Sequence, residues 1–346
     1  MTHPDDAVRD ALQRVTVLTV TYNSAHCVEA LASGLAGVPH VIVVDNASAD
    51  DSCARVRAAM PSARLIVMPA NQGYGVANNA ALAAVQTEFA LLLNPDCLID
   101  AAQIAALVRA MHDWPQATLA VPQLTEASGQ LQVNYSWPRD AWSPKTGEAT
   151  GVLNVGYACA AVMLIRMARL APLGFFDPLF FLYYEDEDLC LRVFQARGQI
   201  LVLPEVRVTH LSRGSVKGTR PWLAEYGRGF HHAQSKIFFT WKHSGLDAAR
   251  RLRRRVLAAS VLNVLARILL PSPRHLARAW GRFRGLRALK MEALAQQRGA
   301  LSPPNRSRPW PAPYRPPRRP SRSPCWPRTR PTRSVAACAV RRLPMK

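Results

Sequence analysis

The sequence predicts an α/β domain with a mostly parallel central sheet flanked by helices, followed by a C-terminal helical extension. Three observations predict it. Short β-rich runs alternate with helical stretches through the N-terminal part, as in βαβ units. The runs are apolar on both faces, as strands buried in a parallel sheet must be. Charge is unevenly spread: of the formal net +21, residues 241–300 and 301–346 each carry +12, which leaves −3 for residues 1–240. The folded part is therefore slightly acidic, and the chemistry is expected within it.

In chain order, strands are expected at Val15–Thr21, Val41–Asp45, Arg64–Met68 and Glu88–Leu93. Helices are expected between them at Ala25–Ala36, Asp50–Met60 and Val76–Val85. Ser48 or Asp50 is placed to cap the second helix. Residues 125–155 are rich in Gly, Ser, Pro, Trp and Asn and hold Trp137 and Trp142. They read as a long loop, and such loops are often functional. Regular structure returns at Gly156–Arg166, Ile200–Leu203 and Val206–His210, with a helix over Glu185–Arg197 that Gly198 stops.

Residues 248–298 read as helical and basic. Leu252, Val256, Ala259, Leu262, Leu265 and Leu269 recur at helical spacing, flanked by Arg251, Arg254 and Arg255. This is either an accessory helix packed on the domain or an interfacial helix on anionic lipid. Residues 301–346 hold twelve prolines and twelve basic residues and are expected to be disordered. Three segments follow: a folded domain at 1–240, a basic amphipathic extension at 241–300 and a Pro/Arg-rich tail at 301–346.

An apolar content of 49% excludes fibrous and wholly disordered classes. The N-terminus is polar and acidic, so no secretory signal is expected there. The apolar run Val256–Ala266 falls short of the roughly 20 residues a membrane span needs. Seven dispersed cysteines without a CxxC pair predict reduced thiols in a cytoplasmic protein. The acidic core, which carries no RNA- or DNA-reading motif, argues against nucleic acid as a partner.

Four polar clusters end predicted strands: Thr21-Tyr22-Asn23, Asp45-Asn46-Ala47-Ser48, Asn71-Gln72-Gly73-Tyr74-Gly75 with Asn78-Asn79, and Asn94-Pro95-Asp96. Each alone reads as a turn. Four in succession favour a site, because open α/β sheets bind ligands beyond the carboxyl ends of their strands. Asp45 could accept hydrogen bonds from a base or ribose. Asp96 is a turn former or a ligand for a hard divalent cation.

A fifth cluster runs Phe180-Phe181-Leu182-Tyr183-Tyr184-Glu185-Asp186-Glu187-Asp188. A helix N-terminus accounts for one or two of its acids. It does not account for the aromatic wall beside them, which would raise a carboxylate pKa by desolvation and suit a general base. His210 is structural, or a neutral imidazole partner for Asp96.

The set YN, DNAS, NxGYGxxNN, LLLNPD, FFLYYEDEDLCLR and a later TH resembles the family 2 glycosyltransferases over roughly residues 14–240. The nearest subgroup is the bacterial rhamnosyltransferase-like and galactofuranosyltransferase-like enzymes. The resemblance implies a GT-A nucleotide-diphospho-sugar transferase fold over residues 1–240. It implies inverting transfer from a nucleotide-sugar, with rhamnose the leading candidate, to a hydroxyl of a lipid-linked or cell-surface glycan. The dispersed cysteines place the protein in the cytoplasm, and the interfacial reading of residues 248–298 gives peripheral contact with anionic lipid at the inner face of the plasma membrane.

By the same resemblance, Thr21, Tyr22, Asn23, Asp45 and Asn46 line the nucleoside pocket. Asn71, Gly73 and Asn78 shape the ribose–phosphate region. Asn94 and Asp96 occupy the family's DXD position, Asn94 replacing the first acid. Asp96 and His210 would hold Mg²⁺ or Mn²⁺. Glu185 and Asp186 form the catalytic acidic pair with Asp186 as base, and Asp188 orients the site.

Two rivals are weighed. A metal-dependent nucleotidyltransferase acting on sugar phosphates would share the pocket and metal. It would need a Gly-rich, Lys/Arg-bearing loop that VTVLTVTYNSAH lacks. A non-catalytic basic scaffold for membrane or nucleic acid sits poorly with the acidic core.

Overall fold

The computed structural model describes residues 4–136, 147–211, 221–269, 272–291 and 294. Trp137, Trp142, the segment after Leu211 and the tail 301–346 lie outside the described residues.

The chain opens with α1 (Pro4–Gln13) and then alternates β1 (Val15–Thr21), α2 (Val28–Gly34), β2 (Val41–Asp45), α3 (Ser52–Ala59), β3 (Arg64–Val67), α4 (Tyr74–Leu82) and β4 (Phe89–Leu93). The expected strands are found, with ends moved by one residue at most. Asp50 holds the start of α3 without being its cap. Its Oδ1 accepts from Ser52 N (3.1 Å) and Ser52 Oγ (2.5 Å), while the cap position is Asp51.

Residues 97–125, for which alternation gives no assignment, form β5 (Cys97–Leu98), α5 (Ala101–Asp113) and β6 (Ala117–Thr125). A capping box between Asp100 and Gln103 starts α5. The loop expected over 125–155 instead includes β7 (Leu131–Gln132), β8 (Tyr135–Ser136) and β9 (Leu153–Val155). Next come β10 (Tyr157–Ala158), β11 (Val162–Arg166), α6 (Met167–Leu170) and α7 (Glu185–Gln195).

The two strands expected near 200 and 206 are one, β12 (Gln199–His210), whose register with β6 shifts between Leu203 and Arg207. The left-handed residue that ends α7 is Arg197 (φ 60°), not Gly198. Gly198 serves close packing: a Cβ there would lie 2.7 Å from Thr118 Oγ1. The C-terminal helical region is α8 (Pro221–Ser244), α9 (Leu246–Leu269) and α10 (Pro273–Ala288). Pro273 enters α10 at its first turn, where its missing N–H costs nothing.

The sheet order is β3-β2-β1-β4-β11-β6-β12-β5. β1, β2, β3 and β4 pair in parallel, β11 runs antiparallel to both β4 and β6, and β12 is parallel to β6. β7 pairs antiparallel with β6 and β9 with β12, so β5, β7, β9 and β11 run against the other six strands and the sheet is mixed with a parallel majority. Both its faces are buried. Along β4, Phe89, Leu91 and Leu93 enter one core, and Ala90 and Leu92 enter the other. A third cluster, around Ile237, Trp241 and Leu286, joins α8, α9 and α10. The expected boundary at residue 240 falls inside α8.

The seam expected on α9 is split. Leu252 and Val256 pack against the third cluster, whereas Leu262, Leu265 and Leu269 are exposed. No helix of the described residues is long and apolar enough to cross a membrane. Among the described residues, Cys27, Cys53, Cys97, Cys159 and Cys190 form no disulfide.

Candidate active site

Because β1, β2 and β4 run the same way, the loops after Thr21, Asp45 and Leu93 gather on one sheet edge. The first two loops brace each other. Asp45 is buried, and its carboxylate accepts from Thr21 Oγ1 (3.0 Å), Ser48 N (2.9 Å) and Ser48 Oγ (2.5 Å). Asn23 stands at φ 52°; its N–H donates to Ser48 Oγ (2.9 Å) and its Oδ1 accepts from Ala49 N (2.8 Å). Ala47 stands at φ 62°.

Asn46 then holds the third loop. Its Nδ2 donates to Asn71 Oδ1 (3.0 Å) and Gly73 O (3.2 Å), and its Oδ1 accepts from Gln72 N (3.1 Å). Gly73 cannot be another residue without movement. Its φ is +90°, and a Cβ would fall 2.1 Å from the carbonyl oxygen of Phe181. A Cβ on Gly75 would lie 2.9 Å from the Cβ of Phe176. The glycines of NxGYG thus let the third loop press against the segment that leads to the acids. Asn79 fastens the same seam: its Nδ2 donates to Phe176 O (2.7 Å) and its Oδ1 accepts from Phe176 N (3.0 Å). Asn78 is buried and its Nδ2 donates to Tyr74 O (3.0 Å), within α4.

Tyr183 and Tyr184 stand at φ 68° and 69°, two consecutive left-handed residues directly before α7. Such conformations cost roughly 1–2 kcal/mol each for an L-residue and persist where surrounding structure imposes them. They deliver Glu185 and Asp186 to the N-terminus of α7. Asp186 Oδ2 accepts from Ala160 N and from Tyr157 Oη, both at 3.3 Å. Tyr74 Oη donates to Ala160 O (2.9 Å), which ties the third loop to the same backbone.

Burial raises the Asp186 pKa above the ordinary carboxylate range, while bonds from Ala160, Glu187 and Tyr157 hold it back. Burial and the neighbouring Asp186 charge push Glu185 well above its ordinary value. Glu185 is 6% exposed, and its Oε2 has no hydrogen-bond partner among the described residues.

Asp188, unlike this pair, does not line the cavity described below. Its fully buried carboxylate meets Arg192 Nε (2.9 Å), Lys242 Nζ (2.7 Å) and His243 Nε2 (2.8 Å). The bond from His243 and the charges of Lys242 and Arg192 outweigh desolvation and bring its pKa down to about 2. Arg192 also donates to the carbonyls of Leu173, Gly174 and Phe175. Asp188 therefore joins α7, α8 and the preceding loop.

Asp96 is 2% exposed, and its Oδ1 lies 3.6 Å from His210 Nε2. Antiparallel pairing of β5 with β12 sets Cys97 opposite His210. The ligand atoms of Asp96, Cys97 and His210 lie within 4.8 Å of one another. Cys97 Sγ contacts Ala161 O (3.6 Å), and burial raises its thiol pKa well above the ordinary value. Beside it stand the Asp96 carboxylate and the His210 imidazole. That donor pair fits Mg²⁺ or Mn²⁺ whose remaining positions are filled by water or phosphate oxygens.

A cavity of about 550 Å³ opens beside these elements. Of the expected residues, Tyr22, Asn46, Asn71, Gly73, Asn94, Glu185 and Asp186 line it. Thr21, Asn23, Asp45 and Asn78 are not on the wall; their polar atoms hold the loops that are. Asn94 and Pro95 reach the wall, but Asp96 and His210 are not among the lining residues.

The sequence does not single out Ala160 or the α8 residues Arg228 and His231, which line the cavity; Tyr74, within the third polar cluster, lines it too. Nor does the sequence single out Tyr157, which holds Asp186. Nothing in α8 marks it in advance, since its wall positions include Ala224 and Gly227, which have no chemistry of their own.

Residues 16–168 match the family described as Glycosyl transferase family 2. The chain is 25% identical over 265 residues to the N-acetylglucosaminyl-diphospho-decaprenol L-rhamnosyltransferase of Mycobacterium tuberculosis, covering 66% of this chain and 85% of that protein. It is 25% identical over 193 residues to the low-salt glycan biosynthesis hexosyltransferase Agl10 of Haloferax volcanii, covering 52% and 62%. Among solved structures, the glucosyl-3-phosphoglycerate synthase of Mycobacterium tuberculosis in complex with Mg²⁺ and uridine diphosphate superposes with a TM-score of 0.49 at 17% identity. That match covers 69% of this chain and 83% of that one.

Proposed function

Since the chain carries a family 2 glycosyltransferase domain of the rhamnosyltransferase-like kind, on a GT-A fold, we propose that it transfers rhamnose with inversion to a hydroxyl of a lipid-linked or cell-surface glycan. It is a nucleotide-sugar glycosyltransferase, which sets aside the nucleotidyltransferase and scaffold readings. The observation that carries the mechanism is the half-buried Asp186 carboxylate on the cavity wall, held by Tyr157 and Ala160.

Tyr22, Asn46, Asn71 and Gly73 shape the nucleoside end of the cavity. Asp186, with its raised pKa, takes the proton of the attacking hydroxyl on the face opposite the leaving group. Inversion requires that base and no enzyme nucleophile. Glu185, with an unmatched buried oxygen in the same wall, is placed to bond a hydroxyl of either sugar. Asp96 and His210 would hold Mg²⁺ or Mn²⁺, which supplies positive charge for the departing nucleoside diphosphate.

The catalytic domain runs through α8 rather than ending at 240. Arg228 and His231 line the cavity, and Lys242 and His243 hold Asp188. Peripheral contact with anionic membrane is assigned to α9, where Leu262, Leu265, Ile268 and Leu269 are exposed downstream of Arg250, Arg251, Arg254 and Arg255.

Asp186→Asn is expected to lower kcat about a thousandfold, within the usual range for a lost general base. Donor affinity, read by calorimetry, should stay within about twofold of wild type. Equal loss of donor affinity and rate would remove Asp186 from the role of base.

A further inference from the structure

One wall of the cavity carries an arginine that the mechanism above leaves unused. Ala224, Gly227, Arg228 and His231 line the cavity from α8. Their spacing puts them on a single helix face. Arg228 is the one Lys or Arg among the described lining residues. Its Nη1 donates to Glu225 Oε1 (2.8 Å), and the other oxygen of Glu225 lies 3.9 Å from Arg278 Nη1 on α10. Arg282 follows one turn later. The Nε atoms of Arg278 and Arg282 are buried without a hydrogen-bond partner among the described residues.

Glu225 is thus shared by Arg228 and Arg278, with Arg282 close by. The surplus is felt locally. Burial and the charges of Arg282, Lys236 and Arg278 bring the His232 pKa down to about 4. The cluster is also held in place. A Cβ on Gly229 would fall 2.2 Å from Arg278 O, and one on Gly281 would fall 2.1 Å from Tyr226 O, so the two helices meet backbone to backbone.

Guanidinium groups partly withdrawn from water need anions to offset their desolvation, and Arg suits phosphate oxygens geometrically. On the proposed mechanism, the donor's own diphosphate would be met by the ion that Asp96 and His210 would hold. We infer that Arg228, adjoined by Arg278 and Arg282, seats a phosphate group of a diphosphate-linked acceptor. This rests on the lipid-linked acceptor reading of the preceding subsection and names the part of that acceptor the protein recognises.

The full chain without divalent metal is titrated with inorganic pyrophosphate by calorimetry, with and without a saturating nucleoside diphosphate. Pyrophosphate should bind in both cases. Arg228→Gln should weaken it about tenfold or more, the scale of one charge-assisted contact, and Arg228→Lys less. In steady-state transfer, Arg228→Gln should raise KM for a sugar-diphospho-lipid about tenfold while donor KM stays within about twofold.

Displacement of pyrophosphate by the nucleoside diphosphate, or an equal rise in donor KM, would assign the phosphate to the donor and overturn the inference. Unchanged pyrophosphate binding in Arg228→Gln would overturn it outright. Should Arg228→Gln fail to fold, Arg228→Lys, which keeps the charge but not the planar fork, carries the comparison, and wild-type pyrophosphate affinity in it would count against the seat. Wild type that binds pyrophosphate through Arg228 yet glycosylates no diphosphate-linked lipid would sink the acceptor reading. Transfer that ignores Arg228 would sink the seat alone.

Discussion

Asp186 and Asp188 sit two residues apart and are driven in opposite directions. Asp186 is raised by burial. A base must be unprotonated to act, so transfer should rise with pH through a pKa above the ordinary aspartate range of about 4. The sign for stability is reversed. With Glu185 and Asp186 raised, the folded chain keeps protons that the unfolded chain releases. Their contribution therefore falls as pH rises through the folded pKa. Asp188, brought down to about 2, stabilises fully above about pH 4, and that contribution fades as pH falls toward 2. Asp188→Asn should cost about 3 kcal/mol in urea unfolding at pH 7, because it leaves Lys242 and His243 facing a neutral amide. An unchanged midpoint would count against the three-way junction described above.

Among the elements, the third loop shows how a motif works through packing rather than contact chemistry. Gly73→Ala places a methyl against the Phe181 carbonyl and keeps a φ that alanine resists. The expected cost is about 1–3 kcal/mol of stability with a weaker donor KM, checked by thermal melting and donor titration. A variant with wild-type KM would show that the loop and the acid-bearing segment move independently.

The alternation from β1 to β4 was readable because strands buried on both faces leave long apolar runs. β6 was not, because Pro122 interrupts ATLAVPQLT. β12 hid its continuity because the register shift coincides with Pro204 and Glu205. The site was half readable. Glu185, Asp186, Asn46, Asn71 and Gly73 reach the wall. Thr21, Asn23 and Asp45 belong to the same polar clusters but bond to one another's loops, and Asn78 bonds within α4. A side chain that braces a loop and one that meets a ligand look alike in a sequence, since both are short, polar and placed at strand ends.

At the scale of the whole molecule, charge and exposed apolar surface meet in the C-terminal helices. The sheet and its loops form a mildly acidic body, whereas α9 and α10 carry the arginines. Leu269, 80% exposed, ends an apolar face that the body does not cover. Flotation with anionic vesicles should recover the protein at low salt and less of it at high salt. The pair Leu262→Glu with Leu265→Glu should abolish recovery while leaving transfer to a soluble acceptor analogue intact. Equal flotation with uncharged vesicles would argue against an electrostatic component.

The consecutive tyrosines at positive φ tie these scales together. A free chain seldom visits two such residues in a row, so the bend before α7 is borrowed from its surroundings, and Tyr183 and Tyr184 both rest on His232 of α8. On the proposed roles, nucleotide recognition belongs to the early loops and sugar hand-over to the segment that α8 shapes. Gly73 and Asn79 clasp that segment against the third loop, so drift in the late helix would be felt at both ends of the cavity.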